Sequence, residues 1–319
     1  MLTIDDIRSA ANTIQPYVHR TPVFTSSSLD RLTGCKLFFK AECLQKTGSF
    51  KVRGAANKIA PLAGQDIGGV GTLSSGNHGQ AVAYMAGKLG IPAVILVPDH
   101  TSEAKISGAR AYGAEVIVGG DLNNVEEIMT RAFAIAEERR LVPIFPFDDL
   151  LIMAGQGTIG LELMEDLGKF DAVIIPVGGG GLLSGLATAI KLSDPSVKVY
   201  GVGPQGACSM FESFHQGKPV ALNEMPLTLA EALRSPFVGT HCLEHALKYV
   251  DDVVTVSDAE IVEAMNLAWS RLKLVVEPGG ASSLAAITAK KIGIPAGKKV
   301  VCIFSGGNVD LRKLSDIFK

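Results

Sequence analysis

DAVIIPVGGGGLLSG, residues 171–185, is the stretch that decides the fold class. Its first half is a short run of β-branched and apolar residues, the composition of a strand buried on both faces. Its second half continues into an apolar segment of helical length, Leu182–Leu192. A strand, a glycine turn and a helix in that order open a parallel crossover unit. Outward from this stretch the same alternation predicts strands at Gly69–Leu73, Ala93–Val97, Glu115–Val118, Ala172–Val177, Lys198–Val202 and Val300–Phe304. Helices are expected at His78–Leu89, Val125–Glu138, Gly155–Leu167, Leu182–Leu192, Asp258–Ser270 and Gly280–Lys291. The class is α/β. No repeat of solenoid length and no low-complexity linker marks a domain boundary.

Composition narrows the function. The 319 residues are 47% hydrophobic and carry a formal net charge of −2, enough apolar material for one large or two modest cores. With 30 basic against 32 acidic side chains and no block of like charge, the field that gathers nucleic acid or anionic lipid is missing. The expected partner is a small molecule. No run reaches about 18 apolar residues, and MLTIDDIRSAANTI carries acids where an export signal carries bases, so neither a membrane span nor secretion is expected. Cys35, Cys43, Cys208, Cys242 and Cys302 form no C-x-x-C pair. That suits thiols packed as small hydrophobes in a reducing cytoplasm.

Four glycine-bearing segments hold the chemistry: GSFKVRG (Gly48–Gly54), SSGNHGQ (Ser74–Gln80), GGGGL (Gly178–Leu182) and SGGN (Ser305–Asn308). Each is expected to follow a strand and precede a helix, at the carboxyl edge of a parallel sheet where ligands bind. In the tetraglycine, successive N–H groups can converge on an anion and the positive helix end reinforces them, which reads as a phosphate cup. It is not a dinucleotide fingerprint: no register supplies the third glycine of G-x-G-x-x-G, and Lys198 stands where the ribose-binding acid belongs. The plain alternative, a tight turn with close helix packing, accounts for one or two glycines better than for four.

Lys51 taken alone is a solvated surface lysine. Beside a phosphate cup, its amine suggests a phosphorylated aldehyde held as an imine, for which pyridoxal phosphate is the usual cofactor. SSGNHGQ can clasp a carboxylate at a helix N-terminus, or serve only as a polar N-cap turn. Ser305 likewise has a plain reading as a turn residue.

In that order and at those separations, S-F-K-x-R-G, S-S-G-N-H-G-Q, the tetraglycine and S-G-G-N-V-D-L resemble the fold-type II pyridoxal-phosphate enzymes, in their serine/threonine dehydratase and serine racemase branch. HRTPV (His19–Val23), AGQGTIGLEL (Ala154–Leu163) and VVEPGGA (Val275–Ala281) extend the likeness over nearly the whole chain. The resemblance implies a tryptophan synthase β-like fold of two open, twisted, mostly parallel sheets with flanking helices. It implies a large cofactor-binding domain from residues 1–69 plus 148–319, a small mobile domain from 70–147 that closes over substrate, and a homodimer. Lys51 would carry pyridoxal 5'-phosphate as a Schiff base and act as general base. Phe50 would pack on one ring face, Asn77 would bond the phenolic oxygen, Gly178, Gly179, Gly180, Gly181 and Leu182 would hold the phosphate, and Ser305 would face the pyridine nitrogen. Ser74, Ser75, Gly76 and His78 would line the substrate carboxylate, with Phe147 flanking the cofactor.

The implied reaction is elimination of water from a β-hydroxy amino acid, of the serine/threonine type or a bulkier one such as phenylserine, giving a 2-oxo acid and ammonia. A hydroxyl at Ser305, rather than a carboxylate, leaves the pyridine nitrogen unprotonated and the electron sink weak, which favours fast loss of the β-hydroxyl. Ser75 opens an alternative. In the racemases of this family a serine there serves the face of the α-carbon opposite the lysine, so a racemase or mixed enzyme is the second reading. A non-catalytic regulatory protein on the same scaffold is the third, and the retained lysine speaks against it.

Three features depart from the pattern or compete with it. Many relatives bind Mg²⁺ or Ca²⁺ through a Glu and an Asp, and Gly203 and Ser209 stand at those positions, so no divalent metal is expected there. LAEAL (Leu229–Leu233) puts Ala232 where relatives commonly carry glycine beside the cofactor ring. His241–His245 reads H-x-x-E-H, a zinc-peptidase pattern that a plain amphipathic surface helix accounts for equally.

Overall fold

Strands that are apolar at every position, not at alternate ones, form where both faces of a sheet are covered by helices. In the computed structural model, which describes residues 1–99, 101, 103–121, 124–310, 312 and 318, this condition holds for AVILV at 93–97 and AVIIP at 172–176, buried at all five positions. Ten strands are formed among these residues: β1 (Val23–Thr25), β2 (Lys36–Lys40), β3 (Gly69–Leu73), β4 (Ala93–Val97), β5 (Glu115–Val118), β6 (Leu141–Pro143), β7 (Ala172–Pro176), β8 (Lys198–Pro204), β9 (Asp252–Val256) and β10 (Lys299–Ile303). They make two sheets. Four consecutive strands build one, in the order β5-β4-β3-β6 and wholly parallel. Both chain ends build the other, β1-β2-β10-β7-β8-β9, parallel except for the antiparallel edge strand β1. The chain is thus α/β with two open, mostly parallel sheets.

Strands β3, β4 and β5 coincide with the sequence expectation, and β7, β8 and β10 differ from it only at their ends. Four strands were not anticipated. β1 and β6 have three residues each, too few to display a period; β9 opens on an acid; and β2 is bracketed by Lys36 and Lys40. Lys40 is nevertheless fully buried, as are Glu42 and Arg53. Arg53 donates to both oxygens of Glu42 at 2.8 Å and to those of Glu162 at 2.6 and 2.9 Å, while Lys40 Nζ lies 2.6 Å from Glu162 Oε2. This network bolts β2 to helices Lys51–Ile59 and Leu150–Leu167, the first of which was also unforeseen. Helix Leu150–Leu167 starts well before the expected Gly155 because Asp149 Oδ1 accepts from the N–H groups of Leu151 and Ile152.

The expectation that every glycine segment joins a strand to a helix requires correction. SSGNHGQ and GGGGL do so. GSFKVRG instead follows a 3₁₀ turn at Glu42–Leu44, and no α-helix follows SGGN among the described residues. The two segments pair with each other, Ser49 against Gly306, so the lysine segment is laid across the end of β10. Leu311, the last residue of S-G-G-N-V-D-L, lies outside the described residues.

Candidate active site

Phe50 N donates to Ser305 O at 3.0 Å, and helix Lys51–Ile59 starts immediately afterwards. Lys51 therefore stands on the first helical residue above β10. Its Nζ donates to Pro146 O at 2.8 Å and lies 5.2 Å from the Phe50 ring centre. The residue is only partly buried, yet its amine is enclosed enough that burial pushes the ammonium down to about 8, with the Cys242 thiol as a minor opposing influence. His78 lies within reach of the same charge. Its Nε2 donates to Ile144 O at 3.0 Å, its buried Nδ1 has no hydrogen-bond partner, and burial followed by the Lys51 charge pushes it down to about 3. The imidazole is neutral.

The tetraglycine lies at the end of β7, and helix Gly181–Ser193 begins inside it with no side chain capping its N-terminus. A methyl group on Gly178 would meet Leu233 O at 2.9 Å, on Gly179 two ring carbons of Phe147 at 2.4 Å, on Gly180 the Cβ of Cys242 at 2.6 Å, and on Gly181 the Cβ of Phe147 at 3.1 Å. Gly180 also has φ +107°, a conformation that side chains disfavour. Packing alone thus demands at least three of these glycines, contrary to the reading that it explains only one or two. What packing leaves unexplained is the bare helix start, where converging N–H groups and the helix dipole favour an anion.

Asp148, at φ +57°, secures the neighbouring wall: its Oδ1 accepts from His241 N at 2.7 Å and Cys242 N at 3.2 Å. Phe147 is held between this residue and the glycine loop, its ring 5.8 Å from that of Phe237.

On the turn after β3, Gly76 N donates to Ser74 Oγ at 3.3 Å, and Ser75 is partly buried between them and Asn77. Asn77 opens helix Asn77–Leu89 and reaches across to the other sheet, donating to Glu277 Oε1 at 2.7 Å and accepting from Asn308 Nδ2 at 2.8 Å. The fold therefore gathers Lys51, Phe50 and Ser305 at one point, Phe147 and the glycine loop at a second, and Asn77 with the end of S-G-G-N at a third. Glu277, Asn308, Asp148 and Pro146 were not assigned from the sequence. Glu277 stood inside the VVEPGGA motif, but an acid before a proline at a helix start reads as an ordinary N-terminal residue.

The model of the family described as pyridoxal-phosphate dependent enzyme matches residues 14–306. The chain belongs to this family. It is 42% identical over 318 residues to an L-threonine ammonia-lyase of Thermotoga maritima, covering 99% of this chain and 78% of that one. It is 42% identical over 319 residues to a serine racemase of Arabidopsis thaliana, covering 98% and 95%. The solved structure of maize serine racemase superposes with a TM-score of 0.93 at 41% identity, covering 98% of this chain and 95% of that one.

A pyridoxal-phosphate dependent enzyme needs an amine for the aldehyde, a cradle for the phosphate and flat apolar surface for the ring. Lys51, the uncapped helix start at Gly181 and Phe50 fit those three needs. Ala232 is exposed beside Gly279, where an added Cβ would come within 3.4 Å of its methyl. The zinc alternative finds no support: His245 accepts from Leu2 N at Nε2 (2.9 Å) and bonds His241 O through Nδ1 (2.6 Å). Among the described residues no three His, Cys, Asp or Glu side chains are grouped to hold a metal.

Proposed function

We propose that this chain removes water from a β-hydroxy amino acid of the serine/threonine type, and that the enamine released is hydrolysed by water to a 2-oxo acid and ammonia. The observation that carries the reading is Lys51, an amine pushed down to about 8 and bonded to the carbonyl of Pro146, the residue before the Phe147 that presses on the glycine loop. Such a lysine exchanges a proton near neutral pH, as a general base must. Bound at Lys51, pyridoxal phosphate supplies the sink for the electron pair left at the α-carbon. Gly178, Gly179, Gly180, Gly181 and Leu182 hold its phosphate, Asn77 its phenolic oxygen, Phe50 one ring face and Ser305 its pyridine nitrogen.

Ser74, Ser75 and Gly76 orient the substrate carboxylate. His78 meets it as a neutral imidazole, not as a cation, because burial and the Lys51 charge hold the proton off. Released from the aldehyde when the substrate amine takes its place, Lys51 Nζ would be free to take the α-proton. The Phe147–Phe237 pair supports a place for bulkier β-substituents, phenylserine among them. Residues 70–147 act as a small domain that closes over substrate and excludes water.

A racemase or mixed activity is the second reading, favoured by Ser75 on the turn that opens helix Asn77–Leu89 and by the relatives named serine racemase. The enzyme works without a divalent metal at the position its relatives use: Gly203 has no side-chain carboxylate to offer and the Ser209 hydroxyl donates to Ser235 O at 2.9 Å. A cytoplasmic homodimer completes the proposal. All five cysteines are free, and among the described residues no helix is long and apolar enough to cross a membrane.

The test is a panel of β-hydroxy amino acids assayed together for 2-oxo acid and for the opposite enantiomer. Ser75→Ala is expected to abolish racemisation and spare most elimination; equal loss of both sinks the two-base assignment. Absence of 2-oxo acid from every substrate sinks the elimination.

A further inference from the structure

The Asn77 amide is gripped at both ends. Its Nδ2 donates to Glu277 Oε1 at 2.7 Å, and its Oδ1 accepts from Asn308 Nδ2 at 2.8 Å. Asn308 is itself anchored, since the same nitrogen donates to Thr47 O at 2.8 Å. The two ends of an amide are nearly equal in size, so a lone asparagine can turn over unless its partners distinguish oxygen from nitrogen. Here they do. Glu277 Oε1 accepts at one end and the Asn308 NH₂, which only donates, sits at the other, so both partners hold the same orientation. Asn77 then offers its second N–H, not its carbonyl, to an acceptor placed beyond it.

Glu277 is built into this place. It is 6% exposed and forms the N-cap of helix Pro278–Thr288, whose positive end favours a carboxylate. Its backbone N–H donates to Gly306 O at 3.0 Å, and a Cβ on Gly306 would fall 2.4 Å from Glu277 Oε1. The first glycine of S-G-G-N therefore makes room for the carboxylate.

We propose that Glu277 is a positioning residue: with Asn308 it locks the Asn77 amide so that an N–H faces the phenolic oxygen of the cofactor. This rests on reading Asn77 as the contact to that oxygen. A flipped amide would set two acceptors against each other at that point, weakening retention of the cofactor and altering the protonation of its chromophore.

The test is a double-mutant cycle on protein reconstituted with pyridoxal phosphate, read as the cofactor dissociation constant and the pH profile of the visible absorption band. Glu277→Ala is expected to raise the dissociation constant about tenfold and to displace the pH profile. Glu277→Gln, which keeps an acceptor oxygen in place, should stay within about threefold of the parent. In an Asn77→Ala background, Glu277→Ala should add nothing further. If Glu277→Ala does not fold, Asn308→Ala enters the same cycle, with the same failure to add expected. Effects that multiply undiminished in the absence of Asn77 overturn the lock, as does a Glu277→Ala protein that matches the parent in both readouts. A coloured parent with an additive cycle overturns only the role of Glu277. A parent that acquires no visible band overturns the reading of the cofactor site as well.

Discussion

Replacing Lys51 by methionine should make the cofactor-free protein more stable, and the gain should disappear in alkali. The ammonium is pushed from 10.5 down to about 8 by burial, so at neutral pH the fold holds a charge it disfavours by about 3 kcal/mol relative to the unfolded chain. The hydrogen bond to Pro146 O returns about 1 kcal/mol of that. Methionine has similar length and no charge, so a net gain of about 2 kcal/mol is expected, or roughly 3 °C in Tm for a chain of this size.

The sign against pH follows from the depressed value. Stability associated with Lys51 is fully present above 10.5 and is lost as pH falls from there through about 8. The difference between variant and parent should therefore be largest near pH 7.5 and fall by more than half by about pH 9.5. Calorimetric or urea unfolding of both proteins, stripped of cofactor, at several pH values measures it. A Lys51→Met protein no more stable than the parent at pH 7.5, or a difference independent of pH, refutes the claim that the fold holds this amine under strain.

Other consequences are equally concrete. Arg53→Met leaves Glu42 buried and deprived of its main partner; burial raises the Glu42 carboxyl but Arg53 outweighs it, so urea unfolding should show a loss of about 3–5 kcal/mol. Gly179→Ala drives a methyl group against the Phe147 ring; a loss of about 1–3 kcal/mol is expected, and Phe147→Ala in the same chain should recover most of it. His245 is held below its ordinary value first by burial, and its bond from Leu2 N requires the neutral ring. That anchorage should be intact above the ordinary value of 6.5 and weaken as pH falls below it, seen as a lower hydrogen-exchange protection factor at Leu2 in acid and flattened by His245→Gln.

The α/β class and the placement of most central strands were legible because the information is local. A run such as AVILV states its own burial on both faces, and a glycine run after it states where backbone approaches closely. Short strands β1 and β6 carry too few residues to state anything, and they form because neighbours in the sheet supply partners for their backbones. β2 was hidden for a different reason: Lys40 at its end looks like a surface residue until Glu162 is found beside it.

The same division runs through the site. Lys51, Asn77, Ser305 and the tetraglycine lie in the four glycine-bearing segments that carry the family resemblance, and that resemblance implied the roles of Asn77 and Ser305. That Phe147, Leu233 and Cys242 press on those glycines, and that Glu277 and Asn308 set the direction of the Asn77 amide, depends on groups as many as 231 residues apart in the chain. Periodicity and backbone freedom belong to consecutive residues and can be read in order. Charge pairing, amide orientation and the depressed amine of Lys51 act over a few ångströms of space, and only the folded chain decides which side chains fall within that reach.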